Sequence, residues 1–467
     1  MSLRYQAGIV TASYFPLKVP NAPTIGTASV ASGTSVSVTF TAPSNVGGGA
    51  ITSYVATARK TSDGTTVSGT GASSPITISG LTANSAYTVT VAAVNSFGAG
   101  PSSAASSSVT PQEQQLWVWG PNNIGQLGLN NITSYSSPKQ VGAVTTWNKI
   151  GALGSSNGVG FAIRSNNSLW ALGGWNLFGQ LAVGNTTNYS SPKQIGSLTN
   201  WREISGSGTS AFGLKTDGTL WAWGYNGNGD LGINSTYNQS SPVQIGALTT
   251  WAKISKSTSL GFFLAITTSG TLYAWGANAN GQLGLGDTTR RSSPVQVGAL
   301  TTWLSVACGG YHTLAITTSG TLWAWGKNNN GQLGLGNATY YSSPKQIGAL
   351  TNWAFVSGGN QFSVAVKTDG TLWTWGAGGA LGLNNTTSYS SPKQVGALTN
   401  WRMAAAGITN TCLAIKTDGT LWSWGDNTQG QLGLGNTTAY RSPKQVGALT
   451  TWRDVVNTYS VYAIKTS

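Results

Sequence analysis

Residues 322–353 read LWAWGKNNNGQLGLGNATYYSSPKQIGALTNW, and this stretch, with small changes, recurs along most of a 467-residue chain. The L-W-x-W-G opening or a close variant starts at Leu116, Leu169, Leu220, Leu272, Leu322, Leu372 and Leu421, at spacings of 53, 51, 52, 50, 50 and 49 residues. Within each unit apolar and polar residues alternate with period two, and Gly, Asn and Pro punctuate the runs, so strands and turns are expected and no helix is needed. A unit of this size supplies one small sheet that cannot bury both faces alone, and stacking such sheets in a ring is the propeller solution. The predicted fold class is all-β: a seven-bladed β-propeller over residues 116–467 behind an N-terminal immunoglobulin-like β-sandwich.

Thr-Asp-Gly-Thr at 216–219, 368–371 and 417–420 has the chemistry of a tight hairpin, with Asp-Gly expected to supply the positive φ values. The last unit reaches Ser467 where its L-W strand would begin, while Leu116–Trp119 stands spare at the other end. Pairing of Leu116–Trp119 with Val461–Lys465 is therefore expected to complete the seventh blade and remove a free sheet edge. All 20 Trp fall in the repeats. Leu172 and Tyr273 stand where two of the regular Trp would be, and Trp175 is additional. Gly-Gln-Leu-Gly-Leu-Gly at 281–286 and 331–336, and Val306-Ala307-Cys308-Gly309 followed by His312-Thr313-Leu314-Ala315, resemble the regulator-of-chromosome-condensation repeat family over residues 116–467. That resemblance implies the same propeller and, from its eukaryotic members, a chromatin or small-GTPase regulator as one functional class.

Ahead of the repeats, residues 1–20 read as an extended arm with apolar Leu3, Tyr5, Ile9, Tyr14 and Phe15, suited to docking on a neighbouring subunit. Residues 21–111 carry short alternating runs at 35–40, 51–59, 75–81 and 86–95, the spacing of a β-sandwich. Gly80-Leu81, Tyr87 six residues after that Leu, and Ser96-Phe97-Gly98-Ala99-Gly100 resemble a fibronectin type III domain, in which the tyrosine would close a corner. Phe40 stands where that family often has Trp. Residues 112–115 read as a linker.

Charged residues make up 7% of the chain, far below the roughly 25% of an average soluble domain, and Gly is abundant at 64 residues, a turn-rich composition. The net charge of +14 favours anionic partners. Lys139, Lys193, Lys345, Lys393 and Lys444 recur once per repeat, which reads as a dispersed ring, so no specific nucleic acid is expected. No stretch approaches 18 apolar residues, so no membrane insertion is expected, and the N-terminus does not read as a signal peptide. Cys308 and Cys412 occupy non-equivalent positions, which gives no disulfide framework. The two Glu, Glu113 and Glu203, and the lone His312 make no catalytic or metal-ligating constellation, so no enzyme, cofactor or metal is expected.

The departures from the repeat carry the functional information. The residue opening each S-S-P segment is Tyr135, Tyr189, Gln239, Arg291, Tyr341, Tyr389 and Tyr440 in turn, either packing on the outer strand or a ring of platforms for sugars or protein. Trp175, Leu177 and Phe178 replace polar loop residues, as a local plug or as a contact anchor. Arm, spacer and propeller together resemble bacteriophage tail and surface proteins. The expected function is a non-enzymatic virion structural protein (tail, baseplate or head fibre) on the particle exterior, made in the host cytoplasm. Expected partners are other virion proteins, a host cell-surface glycan or protein, and further copies of itself. A bacterial secreted or cell-surface adhesin or protein inhibitor is the alternative.

Overall fold

The structure, a computed structural model, describes residues 18–151, 153–154, 158–207, 209–257 and 261–466. The chain divides into two compact units, Met1–Glu113 and Gln114–Ser467. The residues of the expected docking arm, Leu3, Tyr5, Ile9, Tyr14 and Phe15, lie outside the described residues.

The first unit is a sandwich of two sheets. One orders strands Thr24–Ser32, Ser35–Thr41 and Ile76–Ser79, and the other orders Thr66–Gly71, Ile51–Lys60, Tyr87–Asn95 and Gly98–Ala99. Their inward residues, among them Val36, Val38, Ile78, Val89 and Val91, form one core, with Phe40 packed 4.6 Å from Tyr54 where a Trp is common in the family. The Tyr87 hydroxyl accepts a hydrogen bond from the Thr82 amide at 3.0 Å, which is the expected corner. The first and fourth strands escaped the sequence reading because small Thr, Ser, Ala and Gly side chains dilute their alternation. Of the expected arm, residues 18–20 belong with the sandwich: Lys18 donates its amide to Gly47 at 2.9 Å and accepts from the Asn95 side chain at 2.8 Å.

The second unit is a ring of seven sheets, antiparallel except where the short strand Leu153–Gly154 adds in parallel to Trp201–Ser207 as a fifth strand of blade 2. Blade 1 orders Trp147–Gly151, Gly160–Arg164, Leu169–Gly173 and Lys193–Gln194, and blades 2 to 6 repeat the pattern from Trp201, Trp251, Trp303, Trp353 and Trp401. Blade 7 takes its first two strands, Trp452–Asn457 and Val461–Thr466, from one end of the unit and its last two, Gln114–Gly120 and Tyr135–Gln140, from the other. Val461 pairs with Trp119 and Ile464 with Leu116. Gln114 and Gln115 are thus strand and not linker, because they pair with Thr466 and Lys465. Each sequence repeat runs from the third strand of one blade to the second strand of the next, so one repeat builds one joint.

Those joints explain the G-Q-L-G motif. The Trp indole in the third strand donates to a backbone carbonyl of the preceding blade: Trp119 to Gln431, Trp223 to Gln180, Trp325 to Gln282, Trp375 to Gln332 and Trp424 to Ala380, at 2.9–3.1 Å. The glycine closing the motif lies against that indole. A Cβ on Gly433 would sit 2.7 Å from the Trp119 nitrogen, and its φ of +71° already favours glycine. An Asn earlier in the loop locks it, as Asn328 accepts from the Leu333 amide at 2.9 Å and donates to Asn337 and Thr339. In the T-D-G-T hairpins only the glycine has positive φ, +78° at Gly218. The aspartate contributes as an acceptor instead, Asp217 taking the Thr219 amide and hydroxyl at 2.9 and 2.6 Å.

Two joints depart from the rule. Leu172 has no indole to offer Gln126, and the Tyr462 hydroxyl donates to that carbonyl at 2.9 Å, in space left by Gly160. Between blades 2 and 3 Asp230 stands in the Gln position, and buried Lys256 donates to the Ser210 carbonyl and hydroxyl at 2.6 and 2.5 Å while lying over the Phe263 ring. Burial drives the Lys256 ammonium well below its usual pKa, opposed by Asp230. Tyr462→Phe should leave the buried Gln126 carbonyl unpaired and cost about 1–3 kcal/mol. Chemical denaturation of the variant checks this, with an unchanged unfolding free energy as the contrary result.

Candidate functional site

Beyond the repeated joints, two features leave large side chains at the surface. The first is the loop of blade 1 that carries Trp175, Leu177 and Phe178. Trp175 and Phe178 are half-buried with ring centroids 5.6 Å apart, and Phe178 reaches the next blade, 5.0 Å from the Tyr225 ring. Leu177 is 56% exposed beside them. The expected cluster therefore separates into two roles: the aromatics join neighbouring loops, and the leucine faces solvent.

The tyrosines of the outer strands are half-buried, and each has local partners. Tyr135, Tyr189, Tyr341, Tyr389 and Tyr440 accept at the hydroxyl from Asn131, Asn185, Asn337, Asn385 and Asn436 at 3.2–3.4 Å. A lysine four residues on lies 5.0–5.5 Å above each ring. In blade 3 the pair is ionic, Arg291 bonding Asp287 at 2.6 Å. The same geometry is met by Tyr–Asn or Arg–Asp, which fits a role in fastening the loop to its strand.

The second surface was not read from the sequence: a cleft between neighbouring blades. Between blades 1 and 2 it has a volume of about 380 Å³ and is lined by Leu198, Trp201, Lys215, Trp221 and Pro242. Between blades 4 and 5 it has about 400 Å³ and equivalent walls, Leu350, Trp353, Lys367, Trp373 and Pro392. A third, between blades 6 and 7, repeats Leu449, Trp452, Trp117 and Pro138 in about 380 Å³. These volumes fall in the range of small-ligand sites, roughly 300–1,000 Å³. Two Trp meet edge to face in each, 6.5 Å apart for Trp201–Trp221, and a leucine at the mouth is about half exposed, 50% for Leu198. A per-repeat G-A-L-T-x-W signal was present, but the sequence alone does not say that its Leu points outward.

A model of the regulator of chromosome condensation (RCC1) repeat matches residues 217–263, 269–316, 319–366, 369–414 and 418–456. The ring is an RCC1-repeat propeller. A fibronectin type III domain model matches residues 21–109. The chain is 31% identical to the ultraviolet-B receptor UVR8 of Arabidopsis thaliana over 192 residues, 41% of this chain and 43% of the receptor. It is 30% identical to the E3 ubiquitin-protein ligase HERC2 of Homo sapiens over 204 residues, 43% of this chain and 4% of the ligase. The chain thus covers less than half the length of either relative. Among solved structures, human WBSCR16 has a TM-score of 0.67 at 19% identity, covering 76% of this chain and 99% of that one. Yeast RCC1 (Prp20), solved bound to Kap60, has 0.67 at 18%, covering 76% and 89%. The likeness to these two is one of fold.

Titratable groups inside the RCC1 propeller are held by its packing. The Ser363 hydroxyl spends its proton on the Gln332 carbonyl at 2.8 Å, so His312 Nε2, 2.9 Å away, is the donor to Ser363. A histidine in that tautomer cannot take a proton from the serine. Glu203 is raised by burial against the pull of Lys253, and Asp454 is raised by burial to about 6 against the pull of Lys149. Asp454, Lys149, Glu203 and Lys253 occupy the same position on the first strands of blades 7, 1, 2 and 3, an alternation of sign from blade to blade. Among the described residues no group of three or more His, Cys, Asp or Glu could hold a metal ion.

Two measurements follow. Phe178→Ala should lose about 1–3 kcal/mol, since it removes the aromatic link between blades 1 and 2, whereas Leu177→Ala should change stability by no more than about 0.5 kcal/mol. Equal effects in denaturation would contradict the division of roles. Burial lowers His312 to about 3, below the value near 6.5 of an unfolded chain. The folded state therefore disfavours the proton: the contribution is complete above about pH 6.5 and is lost as the pH falls towards 3. Wild type should lose more stability than His312→Asn between pH 6.5 and 4, and parallel pH profiles would contradict this.

Proposed function

We propose that the chain is a non-enzymatic binding scaffold, in which a fibronectin type III spacer carries an RCC1-repeat propeller that presents its blade rim to a partner. The observation that carries this reading is the recurrence of a Trp–Trp–Leu cleft at three joints of the ring, between blades 1 and 2, 4 and 5, and 6 and 7. Rigid strands fix the walls of such clefts, so little ordering entropy opposes binding.

The finer reading is a bacteriophage virion structural protein, a tail, baseplate or head fibre component. It is placed on the particle exterior, docked through residues 1–20 and facing a host surface or neighbouring subunits. What supports it is the arrangement of arm, spacer and propeller together with a composition poor in charge and rich in turns and aromatics. The test is mass spectrometry of purified particles and of the secreted fraction from cells expressing the gene. The virion reading expects the chain in particles at stoichiometric level and its loss from them when residues 1–20 are removed. Recovery only as a secreted or cell-surface protein would overturn it in favour of an adhesin or inhibitor.

A further inference from the structure

We propose that the inter-blade clefts bind carboxylates of a repeating acidic polysaccharide, one carboxylate per cleft, on an arc of five of the seven joints. This rests on the binding-scaffold reading above and names the partner chemistry.

In these clefts a lysine lies between two indoles with its ammonium open to the cleft and without a side-chain partner. Lys215 is only 4% exposed and lines its cleft, with Nζ 3.6 Å from the Trp221 ring centre and 5.0 Å from that of Trp201. Lys367 repeats this at 8% exposure, 3.9 Å from Trp373 and 4.9 Å from Trp353. Lys416 lies 4.0 Å from Trp422 and 4.9 Å from Trp401. None of the three hydrogen-bonds to a described residue, and no ion pair among the described residues involves them. The nearest carboxylates, Asp217 and Asp369, already accept from Thr219 and Thr371. Burial lowers both Lys215 and Lys367 from their ordinary values, against the pull of Asp217 and Asp369, as expected of an ammonium partly shielded from water. Two aromatic faces offset part of that shielding but supply no acceptor, so the N–H groups face the solvent of the cleft. An acceptor entering from the cleft would complete the site.

The distribution around the ring then selects the ligand. Arg164, Lys215, Lys367, Lys416 and Lys465 take the cleft position on blades 1, 2, 5, 6 and 7, while Thr267 and Thr317 take it on blades 3 and 4. Those two threonines bond within their own turns, to Ser269 and Thr271 and to Ser319 and Thr321, and need nothing further. The exposed lysines of the outer strands follow the same sectors, because each repeat builds one joint. Lys139, Lys193, Lys345, Lys393 and Lys444 stand at the five cationic joints, and Val243 and Val295 at the other two. The cations expected as a dispersed ring thus form a continuous arc with a neutral gap.

Cations repeated against indole faces on five blades suit a partner that repeats one anionic unit, with avidity gained along the polymer. Flat indole walls suit the apolar faces of sugar rings, and Ser241 and Gln194 at the rim offer partners for hydroxyls. An extended acidic peptide is disfavoured, because every outer strand carries a proline, from Pro138 to Pro443, that interrupts strand addition.

The test is titration of the full chain with polygalacturonate at about 0.15 M salt, where exposed charges are largely screened. Dextran and poly-glutamate are the comparators. Polygalacturonate should bind and dextran should not. Combined Lys215→Gln, Lys367→Gln and Lys416→Gln should weaken binding by about tenfold or more. Lys→Arg at the same three positions should retain binding, since Arg164 fills the equivalent place and lies 3.8 Å from the Trp170 ring centre. Retained binding by the arginine variant also separates lost affinity from lost folding. No binding of polygalacturonate, equal binding by the glutamine variant, or equal affinity for poly-glutamate with the same variant effects would each overturn the proposal. Particle incorporation and cell attachment are measured separately, so a virion protein that ignores polygalacturonate would sink this inference alone.

Discussion

The propeller depends on one hydrogen bond made again and again: an indole N–H of one blade on a backbone carbonyl of the blade before it. At five of the seven joints the buried third-strand indole N–H finds its acceptor in a carbonyl of a loop turned by glycines. Packing and polar pairing act together at this point. The glycine against the indole admits no side chain, the Asn behind it fixes the loop, and the large Trp surface fills the joint between sheets. At the joint between blades 6 and 7 this same contact links residues 312 positions apart, so it closes the ring as well as spacing it.

That constraint made most of the fold legible in the sequence. Blade number, blade boundaries and the splitting of blade 7 follow from the L-W-x-W-G period, because each Trp has one place it can occupy. What the period hid was the meaning of individual departures. Leu172 reads as a conservative change until Tyr462 is seen to serve the carbonyl it abandons, a contact 336 positions away. Asp230 and Lys256 lie 26 positions apart and mark a different joint only once the blades are stacked. In the sandwich, strands of small residues were missed because weak alternation carries little signal.

The surface was less legible than the core. Trp175, Leu177 and Phe178 look equivalent in sequence, yet packing against Tyr225 occupies the aromatics and leaves the leucine outward. The tyrosines stand out as a series, but Asn and Lys partners four residues to either side engage each of them. The clefts had no motif of their own, since their walls combine all four strands of one blade with the loop, fourth strand and turn of the blade before it. Charge followed the same logic. Counting lysines per repeat gave a ring, whereas assigning each to a joint gave an arc with a gap at blades 3 and 4.

A ring held shut only by pairing of its two ends has no covalent clasp, so its stability is that of its closing blade. Native-state hydrogen exchange on residues 116–119 and 461–464 tests this most directly. If the two ends form one blade within the joint system, their amides should be protected to the same degree and exchange together with the inner strands of blades 4 and 5, in a single opening. Exchange of the 116–119 amides at the rate of surface loops, while those inner strands stay protected, would contradict it.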